Sequence, residues 1–232
     1  NTDLQRQEML KAIGVSSSEE LFKDIPELFR NPQLNLPSPV SELELTREIR
    51  EMAGDNISTS QYASFLGGGA YNHYIPAVIS SIVGRGEFMT SYTPYQPEIS
   101  QGTLQVGYEF QSLICQLMGM DVSNIGMYDG ATAFAEAALM ACRVTARGKI
   151  LVLDTVSHVY REVLRLYAEP RGLEVQETKA ENPSIDEGTA CILAQSPNFF
   201  GYLEDLDTLR AYSNNKGALL GVSVDPISLG ML

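Results

Sequence analysis

The stretch Ile150-Leu151-Val152-Leu153 decides the fold. It is apolar without a break, the pattern of a strand covered on both faces rather than on one. Working outward, a helical pattern around Tyr160–Ala168 leads to a strand at Leu173–Gln176 and another at Ala190–Gln195. A helix around Leu203–Asn214 and a final apolar run, Ala218–Val224, complete the alternation. Continuous apolar strands alternating with helices predict an α/β protein with a mostly parallel sheet. One interval is irregular. Only the segment Thr178–Thr189, with Pro183 and no helix pattern, separates the second strand from the third. A parallel crossover takes about a dozen residues or more, usually as a helix. The spacing therefore predicts an abnormally short connection or residues missing from the chain, and the second is favoured.

Ligands of such sheets bind at the carboxyl ends of the strands. That places interest on Asp154–His158, Ser196–Asn198 and Asp225–Ser228. Upstream, Ser100 starts a helix running to about Met118, with Gly119 behind it. A second, alanine-rich helix starts near Asp129 and runs through Ala131–Thr145, its small residues allowing close approach by a neighbour. The first 55 residues read as short capped helices, with Ser17/Glu20 and Ser41/Glu44 spaced as capping boxes and Gly54 as a C-cap. Asn31–Pro39 is an extended connector. The predicted organisation is a helical N-terminal arm, 1–55, followed by an α/β large domain, 56–232.

Among 232 residues, 16 Lys and Arg face 29 Asp and Glu, a formal net charge of −13. With 44% hydrophobic and 19% charged residues, the chain is too apolar for a disordered segment and too acidic for a nucleic-acid binder. No apolar run has the length of a membrane span, and no signal peptide opens the sequence. The three cysteines, Cys115, Cys142 and Cys191, lie far apart among apolar neighbours and read as buried thiols of a reducing, cytoplasmic protein. The charge is unevenly spread. Between Asn56 and Tyr128 the charged residues are Arg85, Glu87, Glu98, Glu109 and Asp121 alone, whereas seven of the 11 tyrosines fall there. Such a stretch must be deeply buried, face a partner, or line a site.

Candidate chemistry follows from position. Asp129-Gly130-Ala131-Thr132 opens a helix, so its amides and the Thr132 hydroxyl would suit a phosphate, or Asp129 is simply the N-cap. Asp225 could hold a protonated heteroaromatic nitrogen, or start a turn before Pro226. His73 and His158 are the two histidines, and His158 follows a strand, where it could stack or relay protons. Without Cys-x-x-Cys or His-Glu pairing, a metal site is disfavoured. Gly67-Gly68-Gly69 lacks the spacing of a nucleotide loop. Of the five lysines, Lys11 and Lys23 lie in the arm, Lys149 and Lys216 precede strands, and Lys179 has no apolar pocket sequence. None is a good Schiff-base nucleophile. The most distinctive run is Tyr92-Thr93-Pro94-Tyr95-Gln96-Pro97-Glu98-Ile99-Ser100-Gln101-Gly102, stiffened by two prolines and suited to a pocket or an interface, or packed over the core as a surface loop.

Phe65-Leu66-Gly67-Gly68-Gly69-Ala70-Tyr71, Tyr74-Ile75-Pro76 and the Tyr92–Gly102 run resemble the glycine decarboxylase P-protein, in particular its amino-terminal half or separate subunit 1. Asp129-Gly130-Ala131-Thr132-Ala133, Pro197-Asn198-Phe199-Phe200-Gly201 and Ser223–Gly230 fit the same pattern, over nearly the whole chain. The resemblance implies the aspartate-aminotransferase-like fold, pyridoxal-phosphate type I, and the first step of glycine cleavage. There carbon dioxide leaves glycine and the aminomethyl group passes to the lipoyl-lysine of H-protein. It also implies that pyridoxal phosphate is held by the lysine of a beta subunit, subunit 2, so this chain supports the site across an interface. The contributors it points to are Tyr92, Tyr95, Gln96, Glu98 and Ser100, with Asn72 and His73 nearby. A degenerate cofactor-like site would comprise Asp129, Gly130, Thr132, His158, Asn198 and Asp225. Family subunits are about twice as long, so the C-terminal small domain is expected to be absent and the large domain truncated. The alternatives are a purely structural partner subunit and an autonomous pyridoxal-phosphate transferase.

Overall fold

The structure, a computed structural model, describes residues 2–67, 72–89 and 93–231. It divides into two compact units, Asn1–Ser64 and Phe65–Leu232.

The first unit is helical. Helix α1 (Asp3–Ile13) opens on a capping box between Thr2 and Gln5 and stops at Gly14, whose φ of 87° is the left-handed conformation that suits glycine. Helix α2 (Glu42–Gly54) opens on the Ser41/Glu44 box, with the Glu44 amide donating to Ser41 Oγ (3.3 Å) and the Ser41 amide to Glu44 Oε2 (2.9 Å). The second expected box does not form. A 3₁₀ turn at Glu19–Phe22 follows Ser18, and Glu20 turns back to the amide and hydroxyl of Ser16 rather than to Ser17. Nor is Gly54 a left-handed cap. It is the last helical residue, and Asp55 continues right-handed with its amide bonded to Met52. Among the described residues of this unit none is buried, and the stripe Leu45, Ile49 and Met52 on α2 lies open. The unit has no core of its own.

The second unit begins with two short helices, α3 (Ala77–Val83) and α4 (Gly86–Met89), and then α5 (Gln101–Met118). Helix α6 (Gly130–Thr145), strand β1 (Lys149–Leu153), α7 (His158–Ala168), β2 (Glu174–Thr178), β3 (Thr189–Ser196), α8 (Leu206–Asn215) and β4 (Leu219–Val224) follow. The four strands are parallel in the order β2-β1-β3-β4. Residues Ile150–Leu153 of β1 are all buried, as the unbroken apolar run requires. The core joins β1 and β3 to Phe134, Ala135 and Ala138 of α6 and Leu164 of α7. Alanines on α6 let it approach both α7 and the sheet.

The connection β2–β3 is short. No helix covers it, and residues 179–188 still carry the chain from the end of β2 past β1 to the start of β3. Ten extended residues reach about 33 Å. That spans a five-residue strand and two strand spacings of about 4.8 Å. That reach suffices for the connection observed. Asp186 steadies the turn, accepting from Thr189 Oγ1 (2.9 Å) and pairing with Lys149 Nζ (2.7 Å).

Topology also sets the site. From β1 the chain moves outward to β2, and from β3 it moves the opposite way to β4. Right-handed crossovers then place α7 and α8 on opposite faces, and the reversal makes the β1/β3 boundary a topological switch point. Two of the three thiols, Cys142 and Cys191, are buried in the core, and burial, reinforced by Cys142, pushes the Cys191 thiol up to about 12. Cys115, expected to be buried, is half-exposed on α5.

Candidate functional site

Two places carry concentrated polar chemistry. The first is the switch point. Beyond β1 lies Thr155, and beyond β3 lies Asn198, which follows the cis Ser196–Pro197 bond. Glu204 joins them: its Oε1 accepts the Thr155 hydroxyl at 2.6 Å and the Asn198 side-chain amide at 2.8 Å. Asn198 Oδ1 in turn accepts the amides of Phe200 (3.0 Å) and Tyr202 (3.1 Å), and the Phe199 amide donates to the Thr155 carbonyl at 3.0 Å. The Gln195 carboxamide receives the Ser157 amide at 2.9 Å. His158 meets Phe199 edge-on at 5.7 Å, and Phe199 meets Phe200 likewise at 5.6 Å. His158 and Asn198 were both expected here from their places after strands. Glu204 was not, because 49 residues separate it from Thr155 and no local spacing links them.

The second is an open groove of about 1090 Å³ between α4, the proline-stiffened loop and the start of α5. Tyr95, Gln96 and Ser100 line it, with Arg85 and Glu87 facing them as an ion pair and Phe88, Ile99 and Val106 supplying apolar surface. Ser100 makes no capping bond with its side chain, and no acidic residue follows in the first turn of α5. The positive end of an 18-residue helix therefore opens toward the groove, which favours negative charge there. Glu98 sits in the 3₁₀ turn Pro97–Ile99 and does not line the groove; neither do Asn72 and His73, which are exposed. Tyr92 lies outside the described residues, as do Gly68, Gly69, Ala70 and Tyr71. Arg85 and Glu87 were the missed members. Their signal was present as two of the few charges in an otherwise uncharged stretch.

That stretch is not buried within this chain. Among its described residues none reaches full burial, and Phe65 and Tyr128 are 96% and 95% exposed. Of the three readings of a charge-poor, tyrosine-rich segment, a site or a partner remains.

Of the expected cofactor-like residues, Asp129 and Asp225 are engaged within the chain. Asp129 caps α6: its Oδ1 accepts the Thr132 amide at 2.7 Å, while Thr132 Oγ1 accepts the Asp129 amide at 3.1 Å and donates to its carbonyl at 3.0 Å. A phosphate would have to displace a carboxylate from the amides it needs. Asp225 Oδ1 is taken by the Ile227 amide at 3.0 Å, the turn-initiating alternative. Lys149 is paired at the amino end of the sheet, Lys216 follows α8, and Lys179, directly after β2, is exposed. Among the described residues no three His, Cys, Asp or Glu side chains converge as a metal site, and no helix is long and apolar enough to cross a membrane.

The Asp129 box has a pH signature. The Thr132 amide, then its hydroxyl, holds the Asp129 carboxyl below its ordinary value. Its contribution is thus complete above the unfolded value of about 3.9 and is lost as pH falls through the lower folded value. Asp129→Asn keeps a cap without the titration. Melting temperature followed from about pH 5 downward should fall less steeply for Asp129→Asn than for the native chain. Parallel curves would remove Asp129 from the account of acid stability.

A parallel α/β sheet with a switch point, a short helical connector set and a groove built from a rigid loop define an aspartate-aminotransferase-like large domain. The family model of the glycine cleavage system P-protein matches residues 1–232. The chain belongs to the glycine cleavage system P-protein family. It is 49% identical over 242 aligned residues to a probable glycine dehydrogenase (decarboxylating) subunit 1 of Desulforamulus reducens, covering 100% of this chain and 54% of that protein. A protein of the same description from Thermomicrobium roseum is 53% identical over 241, covering 98% of this chain and 53% of its own length. A crystal structure of glycine decarboxylase (P-protein) of the glycine cleavage system, in inhibitor-bound form, superposes with a TM-score of 0.87 at 40% identity, covering 100% of this chain and 54% of that one. The chain spans about half the length of the relatives it matches.

Proposed function

We propose that this chain is the subunit 1 portion of a glycine-decarboxylating P-protein, which removes carbon dioxide from glycine and delivers the aminomethyl group to lipoyl H-protein in the cytoplasm. Its role is to complete the active site of a second subunit. Pyridoxal phosphate, which makes the carboxylate-bearing bond of glycine cleavable when bound, is carried on a lysine of that partner. The observation that carries the reading is the groove, where Tyr95, Gln96 and Ser100 converge on a surface left open by this chain. Among the described residues that line the groove there is no lysine. In this reading Tyr95 and Gln96 bind and orient what the partner holds, and the apolar side chains Phe88, Ile99 and Val106 keep water away from it.

Assembly with a subunit 2 and assay of glycine–bicarbonate exchange with lipoylated H-protein test it. Tyr95→Phe should lower exchange by about tenfold, the worth of one lost hydrogen bond to a charged group, and leave assembly intact. Unchanged turnover would remove Tyr95 from the site. The exposed apolar stretch also favours a second reading, a purely structural partner, in which Tyr95→Phe does nothing while a bulky residue at Ser100 abolishes assembly. An autonomous transferase is tested by adding pyridoxal phosphate and reducing with borohydride. A stable adduct on Lys179 or any other lysine of this chain would overturn both.

A further inference from the structure

We propose that Glu204 is a positioning residue of this protein, a clasp that holds the two loops of the switch point as one body; the inference rests on the function proposed above. Its place is unusual. Loops leaving β1 and β3 diverge to opposite sides of the sheet, and the crevice between them is where such sheets receive ligands. One carboxylate oxygen spans that divide, receiving Thr155 from the β1 side (2.6 Å) and Asn198 from the β3 side (2.8 Å). Asn198 transmits the hold to the backbone of Phe200 and Tyr202, and the Phe199 amide bonds back to Thr155.

Each partner is spent on the next, so the loops cannot shift independently. Asn198 is buried and uses both ends of its amide within the network. Glu204 is half-buried and has no salt-bridge partner among the described residues, so its charge is not what secures it. What the clasp presents is an aromatic ledge. His158 and Phe200 are exposed, and both lean edge-on against Phe199, whose backbone is part of the clasp. At a ligand crevice, small misplacements of a positioning surface are costly in rate. Glu204 touches neither substrate nor cofactor in this account; it acts through Thr155 and Asn198.

The geometry makes a distinctive demand. Both bonds go to a single oxygen as acceptor, so a glutamine carbonyl can receive both, whereas alanine can receive neither. In the complex with the catalytic subunit, Glu204→Ala should lower kcat for glycine–bicarbonate exchange about tenfold with KM for glycine changed less than about twofold, and Glu204→Gln should restore it. Thr155→Val, which leaves the Asn198 bond, should fall between them. The chain contains no tryptophan, so Phe200→Trp labelled with 5-fluorotryptophan adds a single fluorine resonance against an unlabelled partner. Glu204→Ala should broaden or shift that line, and Glu204→Gln should not. Glu204→Ala with native kcat, or Glu204→Gln as damaged as alanine, overturns the proposal. If Glu204→Ala fails to assemble, Thr155→Val decides between the same outcomes. A native complex without exchange would refute the glycine reading, and the fluorine line then shows separately whether the clasp exists.

Discussion

Ile192→Ala should destabilise the chain by about 2–5 kcal/mol, a large share of the stability of an ordinary domain. Ile192 is 0% exposed at the middle of β3, the strand between β1 and β4. It is paired with Leu151 on one side and Leu220 on the other. Truncation removes buried methyl groups and leaves a cavity lined by strands whose backbone bonds prevent collapse, so the transfer and cavity contributions add. Ile192→Val, deleting one methyl group, should cost only about 0.5–1.5 kcal/mol. Urea unfolding checks both: the midpoint should fall in that order at constant slope. An alanine variant within about 1 kcal/mol of the native chain would mean that this strand is not the centre of the core.

Gly130→Ala should also destabilise, although helix propensity argues the other way. Alanine in place of a helical glycine normally gains up to about 1 kcal/mol. Here the added Cβ would run into the Tyr160 hydroxyl, with Tyr160 Cζ next at 3.1 Å. Tyr160 cannot simply swing aside, since its ring packs against Phe134 at 5.7 Å in the seam between α6 and α7. Overpacking of this kind costs about 1–3 kcal/mol, enough to reverse the propensity gain. Tyr160→Phe removes the colliding oxygen, so the double variant should recover part of the loss. A double-mutant cycle by denaturant unfolding measures that coupling. A stabilising Gly130→Ala, or one untouched by Tyr160→Phe, would show that the contact yields freely.

How far the sequence could be read depended on the range of each interaction. The strands β1 and β3, the helices α5 and α6 and the Ser41/Glu44 cap all rest on residues within a few positions of one another, and all were legible. Local signals failed where two neighbours competed for one role: Ser16 displaced Ser17 as the partner of Glu20. Asp225 and Asp129 each admitted two readings, and the structure shows the local bond in both, to Ile227 and to Thr132. Among the loop residues, Tyr95, Gln96 and Ser100 share the groove while Glu98, three residues from Tyr95, does not, because a 3₁₀ turn intervenes.

The opening run Ile150–Leu153, together with the helices that alternate with the strands after it, determined that the sheet is parallel and covered on both faces. The lysine pattern likewise argued from the sequence that a cofactor anchor comes from outside this chain. Tertiary structure alone decided the order β2-β1-β3-β4, the helix-free passage from β2 to β3, and hence the position of the switch point. It also brought Glu204 between Thr155 and Asn198 and set Arg85 and Tyr95 on the same groove. The physical reason is the same in each case. Hydrophobic periodicity and capping act along a few residues of chain, whereas strand order and side-chain clasps exist only once the sheet has brought distant loops to one edge.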